Sequence, residues 1–362
     1  MTGPKTHSWI EKLDVYVTGK SKAKSEKPPV KLSANESALG PSPRAIAAYK
    51  NVAEELHRYP DPSYQELRQA LAHKHNIDKD RIVCGVGSDE ILKLVCRAYL
   101  KPGDEALFVA HSFSMYPIAV TSVGGVPIEV KDVDYTANVD NILNAVCEKT
   151  KIIFIANPNN PTGTYLPNSE IERLWQNIPD SILLVLDAAY AEFIEEEDYD
   201  AGIKLVEKSD NVIMTRTFSK LYGLAALRLG WGYACKEISE TLDKIRDPFN
   251  VPSSAQIAGK EALNDIEFEK LAFGHNKKWR NWLMSELNTL GLNVIPSQTN
   301  FILFEFQDRD KTASAANEFL LRHGYILRYY SSQGLENFLR LTVGTKAENK
   351  EVIKLLKEFM EN

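Results

Sequence analysis

The chain is poor in residues that bind metals or cross-link. It has four cysteines and seven histidines in 362 residues, and Cys84, Cys96, Cys147 and Cys235 form no CxxC pair. Their neighbours are mostly apolar, so buried free thiols are expected rather than disulfides or a zinc site, and no metal is assigned. No apolar run approaches the length that spans a bilayer. The opening residues, MTGPKTHSWIEKLD, lack the apolar core of a signal peptide, and the expected compartment is the cytoplasm. A surplus of either charge is also missing: 43 basic residues against 49 acidic ones leave a net charge of −6. That balance offers no general attraction to phosphate backbones, so neither nucleic acid nor membrane is expected as a partner.

What is present is the mix of a soluble globular protein, 44% hydrophobic and 25% charged. A chain of this size should bury about three quarters of its unfolded surface, which implies a large core or two domains packed together. Residues 18–31 are polar and basic and close with two prolines, as an extended arm would. Before them, Trp9, Ile10, Leu13, Val15 and Tyr16 suit a short element anchored on a partner surface. Pro41 and Pro43 mark a turn, and a helix is expected from Ala45.

From about residue 80, short apolar strands alternate with amphipathic helices. Strands are expected at 81–84, 105–110, 152–156, 181–187 and 211–215. Ile91, Leu92, Val95, Cys96 and Tyr99 share one face of a helix that Ser88 or Asp89 can cap. Further helices are expected at 138–149 and 168–177. This alternation predicts a largely parallel sheet covered on both faces. Beyond residue 250 the pattern changes. A helical stretch over 254–289, with a break near Gly274, leads into strands at 293–297, 300–306, 325–330 and 338–344. Helices at 312–323 and 346–360 complete a smaller α+β domain. The expected division is an arm at 1–34, a large domain at 35–250 and a small domain at 251–362.

In an open parallel sheet, ligands sit beyond the carboxyl ends of the strands, and four groups fall there. Gly85-Val86-Gly87-Ser88-Asp89-Glu90 joins a strand to a helix, where free amides can cradle a phosphate. It lacks the third glycine of a dinucleotide fingerprint, and such junctions are most often ordinary caps. Asn157-Pro158-Asn159-Asn160-Pro161-Thr162-Gly163 is either a strand-ending turn or a rigid loop that aims an asparagine at a ligand. Asp187 closes five apolar residues. It is either a cap or a buried carboxylate needing a cation such as a protonated heterocyclic nitrogen, with Tyr190 three residues on. Lys220 follows Thr215-Arg216-Thr217-Phe218-Ser219, and Arg228 lies eight residues beyond. A lysine is usually solvated, but one set among apolar residues has a depressed pKa and can form a Schiff base with an aldehyde. Hydroxyls and an arginine beside it suit a phosphate. Together the groups ask for a ligand with an aldehyde, a phosphate and a basic ring nitrogen, which pyridoxal 5′-phosphate supplies.

NPNNPTG, DAAY and TFSKLYGLAALRLGW, in that order, resemble the fold-type I pyridoxal-phosphate enzymes and specifically the histidinol-phosphate aminotransferases. LSANESALGPS, LHRYPD, GVGSDE, IRDPFNV and FLRLTVGT extend the likeness from about residue 10 to the end of the chain. The resemblance implies an α/β fold, with a mainly parallel seven-stranded sheet between helices in the large domain and a smaller α+β domain. The first helix of the large domain would be free to pack against the small one. It also implies that Lys220 binds the cofactor aldehyde and shuttles the substrate proton, and that Asp187 pairs with the pyridine nitrogen. Asn160 and Tyr190 would bond to the ring hydroxyl, and Phe113 would stack on the ring. Ser88, Asp89, Thr217, Ser219 and Arg228 would hold the phosphate, joined by Tyr59 from the neighbouring subunit. Arg340 would take the anionic end of the substrate, assisted by Arg328, Asn35, Asn160 and Tyr16, the last from the partner's arm.

The implied unit is a homodimer with shared active sites, and the implied work is histidine biosynthesis. Histidinol phosphate and 2-oxoglutarate would interconvert with imidazole acetol phosphate and glutamate in a ping-pong cycle. The sequence departs from the family pattern at Ala188, where glutamate is usual, at Ser37-Ala38, at Ala226 and at His111-Ser112. His111 could touch the ligand, but reads more readily as a satisfied structural histidine. Alternatives that share much of the pattern are an aromatic aminotransferase, a threonine-phosphate decarboxylase-like enzyme and a catalytically silent binding protein on the same scaffold. A nicotinamide oxidoreductase would lack its glycine fingerprint and leave the lysine unused.

Overall fold

The structure is a computed structural model that describes residues 3–13 and 28–361. The chain opens with β1 (Val30–Lys31), α1 (Pro43–Asn51) and α2 (Gln65–His75). There follow β2 (Ile82–Val86), α3 (Ser88–Tyr99), β3 (Glu105–Val109), α4 (Met115–Ser122) and β4 (Val126–Val130). Next come α5 (Val139–Ala145), β5 (Thr150–Ala156), α6 (Asn168–Gln176), β6 (Leu183–Asp187), α7 (Ile203–Glu207) and β7 (Val212–Thr217). The large sheet is completed by β8 (Leu229–Ala234), after which α8 (Lys236–Ile245), α9 (Ser253–Asn264) and α10 (Ile266–Thr289) lead away. The remainder is β9 (Asn293–Val294), β10 (Phe301–Glu305), α11 (Ala313–Arg322), β11 (Tyr325–Ile326), β12 (Arg328–Tyr329), β13 (Phe338–Thr342) and α12 (Lys346–Glu361).

The large sheet has seven strands in the order β2-β8-β7-β6-β5-β3-β4. All neighbours are parallel except β8, which runs antiparallel to both β2 and β7. Leu183–Asp187 and Val212–Thr217 are buried along their whole length, as strands covered on both faces must be. Separate apolar cores lie on the two faces, one around Leu184, Leu186 and Met214 and the other around Val185, Ile213 and Phe154. β8 is not evident from apolar patterning because two glycines interrupt it. One is obligatory: a Cβ on Gly230 would stand 2.2 Å from the Ser88 amide nitrogen, so only glycine lets the sheet meet the start of α3.

The second sheet, β12-β13-β10-β9, is antiparallel and packs with α10, α11 and α12 around Leu283, Phe304, Leu320 and Leu356. β1 pairs in parallel with β11, so the chain touches this layer before it enters the large one.

Several sequence expectations shift. α1 begins at Pro43 rather than Ala45, because the Ser42 hydroxyl accepts from the Ala45 amide. The helix over 138–149 stops at Ala145, where Val146 turns extended. The break in the long helical stretch falls at Asp265, not Gly274: its carboxylate accepts from the Phe268 amide and caps a new helix, while Gly274 continues that helix. α9 packs on α1 and α2, and its Ala255, Ala258 and Ala262 join the core beneath the large sheet, small residues allowing the close approach. Cys147 is exposed, whereas Cys84, Cys96 and Cys235 are buried, and all four are free thiols. Trp9 stacks on His7 and lies against Gly124 of its own chain; Val15 and Tyr16 lie outside the described residues. Among the described residues, no helix is long and apolar enough to cross a membrane.

Candidate active site

The carboxyl ends of β5, β6 and β7 and the β2–α3 turn converge on a cleft of about 250 Å³. Ser88, Asp89, Phe113, Asn160, Asp187, Tyr190, Thr217, Ser219, Lys220 and Arg228 all line it. A wider pocket shares Phe113, Asn160 and Lys220 with this cleft and adds Asn35, Arg328 and Arg340 from the other side. Tyr59 lines neither. It is 82% exposed and stacks on Phe249 at 4.7 Å.

Asp187 ends β6 with its carboxylate buried. Tyr116 donates to Oδ2 at 2.9 Å and Thr215 to Oδ1 at 3.3 Å. Burial nevertheless pushes its pKa up to about 6, with a further push from the charge of Asp89 and a partial offset from the hydrogen bonds. A carboxylate so placed lacks a cation, and a protonated ring nitrogen would fit that need.

Lys220 lies half-buried on the loop after β7, with Nζ 5.6 Å from the centre of the Tyr190 ring. Burial, then the nearby charge of Arg340, brings its pKa down to about 8. The amine is therefore easier to release as a free base than an exposed lysine. The Tyr190 hydroxyl accepts from Asn35 Nδ2 at 2.8 Å. Burial raises that phenol above its ordinary value, while Arg340 and Asn35 pull the other way.

At the opposite end lies a group of donors able to cradle an anion. α3 starts at Ser88, with Gly87 rather than Ser88 or Asp89 in the cap position. The first-turn amides of α3 thus lack helical partners and face a region of positive potential. Thr217 Oγ1 donates to Ser219 Oγ at 3.0 Å, and Arg228 Nη1 stands 3.5 Å from that same oxygen. Arg228 also pairs with Asp89 at 3.2 Å. Gly87 keeps the cradle open: a Cβ there would meet Arg228 Nη2 at 2.7 Å.

Arg340, on β13, is buried. It donates to Asn160 Oδ1 at 2.5 Å and to the Ser33 carbonyl at 2.8 Å. Among the described residues its Nε has no hydrogen-bond partner, an orphaned donor next to the wider pocket. The guanidinium lies 5.0 Å from the Phe301 ring centre and 6.0 Å from that of Tyr330. Arg328 flanks the same pocket, its guanidinium 5.4 Å from the Tyr330 ring centre. Asn157–Pro158 and Asn160–Pro161 are both cis, and Asn157 ties its loop back to Leu166 through two hydrogen bonds.

Sequence reading missed Tyr116, and it grouped Thr215 with the phosphate hydroxyls rather than with Asp187, which both residues hold. Tyr116 follows Phe113 by one helical turn, a spacing that could have pointed to it. It also missed the buried ion pair of Arg216 with Glu192, at 2.9 Å, on the face of β7 opposite Thr215 and Thr217.

The aminotransferase class I and II family model matches residues 27–356. A histidinol-phosphate aminotransferase of Paramagnetospirillum magneticum is 49% identical over 99% of both chains. One of Nitrobacter hamburgensis is 46% identical over the same shares. The crystal structure of histidinol-phosphate aminotransferase from Sinorhizobium meliloti in complex with pyridoxal-5′-phosphate superposes with a TM-score of 0.92 at 27% identity, covering 99% of this chain and 98% of that one. On these matches the chain belongs to the class I and II aminotransferases and, among them, to the histidinol-phosphate aminotransferases.

Proposed function

We propose that this chain transfers the amino group between L-histidinol phosphate and 2-oxoglutarate, with pyridoxal phosphate as cofactor, in histidine biosynthesis. The observation that carries the reading is a single cleft joining an amine of lowered pKa, Lys220, to a buried carboxylate, Asp187, that has hydrogen-bond donors but no cationic partner among the described residues, with an anion cradle at one end and Arg340 at the other.

The donor set fits the cofactor. Ser219, Thr217, Arg228 and the Ser88 and Asp89 amides would take its phosphate, and Asp187 would pair with its ring nitrogen. Asn160 and Tyr190 would face the ring hydroxyl, with Phe113 against the ring. Bound there, the group supplies an aldehyde for imine exchange with amines and a protonated ring that accepts the electrons of the broken Cα–H bond. Lys220 Nζ would take the proton from the substrate Cα and hand it back during the transfer. Asp187 keeps the ring nitrogen protonated, and Tyr116 and Thr215 keep Asp187 in place. Arg340 binds the phosphate of one substrate and a carboxylate of the other, because a guanidinium fork suits both anions. Arg328 and Asn35 flank it.

The active unit in this reading is a cytoplasmic homodimer. Tyr59 supports it: the ring is exposed and outside its own cleft, as a residue reaching a neighbour's cofactor phosphate would be. Tyr16 would come from the partner's arm.

The test is the absorbance of cofactor-loaded protein as histidinol phosphate is added without any keto acid. The long-wavelength cofactor band should fall and the band of its amino form should grow, to about one turnover per site. A band that ignores histidinol phosphate but responds to phenylalanine would replace this substrate with an aromatic one.

A further inference from the structure

The wider pocket gathers positive charge from neighbouring strands. Besides Lys220, its lining holds three cations, Lys31, Arg328 and Arg340, and no carboxylate among the described residues. Arg328 on β12 and Arg340 on β13 are direct cross-strand partners. Like charges set opposite one another weaken a sheet, so an anion held between them would be stabilising. Lys31 reaches the same place from β1. Its register partner on β11 is Ile326, two residues before Arg328. Two residues after Lys31, the Ser33 carbonyl accepts from Arg340 at 2.8 Å. The short run from Lys31 to Ser33 is thereby tied to both arginine-bearing strands.

The Lys31 ammonium pairs with Glu36 Oε1 at 3.3 Å. Glu36 lines the smaller cleft, so the pair bridges the two cavities. Its side chains keep 35% and 49% of their surface exposed, and an ion pair so open to water contributes little. An ammonium on a phosphate oxygen makes a charge-assisted hydrogen bond instead, roughly twice as strong as a neutral one. Arg340 is poorly placed to take a phosphate alone. Two of its nitrogens already donate to Asn160 and Ser33, whereas a phosphate monoester carries roughly two negative charges on three acceptor oxygens near pH 7.

We infer that Lys31 is a specificity-determining residue that binds the substrate phosphate beside Arg328 and Arg340, and that Glu36 is the counter-ion it leaves when the phosphate arrives. The inference rests on the proposed function for the identity of the amino donor and deepens it. The part of the donor that Lys31 reads is the phosphate, not the imidazole. Exchange of partners keeps the ammonium compensated in both states: by Glu36 in the empty pocket and by the phosphate in the filled one. A weak, exposed pair is suited to that exchange, because little is lost when it opens.

The experiment compares histidinol phosphate with histidinol, the same donor without its phosphate, on cofactor-loaded protein. In Lys31→Met, the preference for the phosphorylated donor, taken as a ratio of kcat/KM, should fall about tenfold, mainly through KM. Lys31→Arg should restore most of it. A purely structural role for Lys31 would lower both donors alike, and an unchanged ratio would overturn the inference. Inorganic phosphate titrated into the cofactor-loaded protein by calorimetry supplies a readout without turnover. Its Kd should rise about tenfold in Lys31→Met and fall about threefold in Glu36→Gln, where the ammonium has lost its counter-ion. Equal Kd in wild type and Lys31→Met, or binding to neither, would sink the assignment of Lys31. Weaker binding by Glu36→Gln would sink that of Glu36. If the wild type does not turn over histidinol phosphate, the proposed function fails, while the phosphate titration still decides the role of Lys31.

Discussion

The two walls of the cleft hold their charges in different ways. On the wall built by the large sheet, Asp187, Lys220 and the anion cradle all come from strand ends or the loops directly after them, and both oxygens of Asp187 have donors within 3.3 Å. On the other wall, Arg340 is held by Ser33, 307 residues away in sequence, and by Asn160 of the large domain, and among the described residues its Nε is left without a partner. The first wall is fixed by one rigid sheet before any ligand arrives. The second is a seam between layers, assembled from β1, β13 and a turn in which Gln333 is left-handed. In the proposed function, rigid placement suits the group that would take part in every turnover, and a seam suits a site that would accept a phosphate and a carboxylate in alternation.

Substitutions on the two walls should therefore fail differently. Lys220→Ala removes the proton carrier and should lower turnover by about 10⁴-fold or more, measured in single-turnover assays. A loss matched by any Arg340 variant would break the distinction between the walls. Asp187→Asn tests the cost of the first wall's preparation. With a folded pKa raised to about 6, the Asp187 carboxyl favours the cofactor-free fold at low pH, and that contribution is lost as pH rises from the ordinary carboxylate value through about 6. At pH 8 the cofactor-free Asp187→Asn protein should thus be more stable than the wild type by up to about 3 kcal/mol, by denaturant titration. At pH 4 the difference should shrink.

Arg340→Lys keeps the charge on the second wall but loses the fork. KM for both amino donors should rise about 30-fold, with kcat changed much less. Equal losses in kcat and kcat/KM would mean that Arg340 acts on the transition state and belongs functionally with the first wall. Tyr116→Phe removes one donor to Asp187, and kcat should fall about tenfold with KM nearly unchanged, measured by steady-state kinetics.

The first wall was also the legible one. NPNNPTG, DAAY and TFSK each lie within a few residues of a strand end, so a local pattern carries the site with it. Residues that act across the fold left no such mark. Tyr116 reaches Asp187 from α4, 71 residues away, and looks in sequence like one more buried aromatic. Arg216 alternates on β7 with the cleft-facing Thr215 and Thr217, but its partner Glu192 lies on a turn that no periodicity marks. Composition changes at the edge of α9, but composition does not say which sheet an alanine-rich helix covers, and α9 lies in the core beneath the large one.

Apolar runs punctuated by turns were enough to determine a parallel sheet of strands buried on both faces, because burying such strands leaves few other arrangements. Hydroxyls, a lysine and an aspartate at their ends were enough to determine the class of cofactor, because each group answers a separate chemical need. Only the tertiary structure decided where the chain crosses between layers, which tyrosine holds Asp187, and how Lys31 comes to share a pocket with Arg328 and Arg340 from the far end of the chain. Those contacts depend on distances set by packing, and packing energies belong to pairs of surfaces rather than to either segment alone.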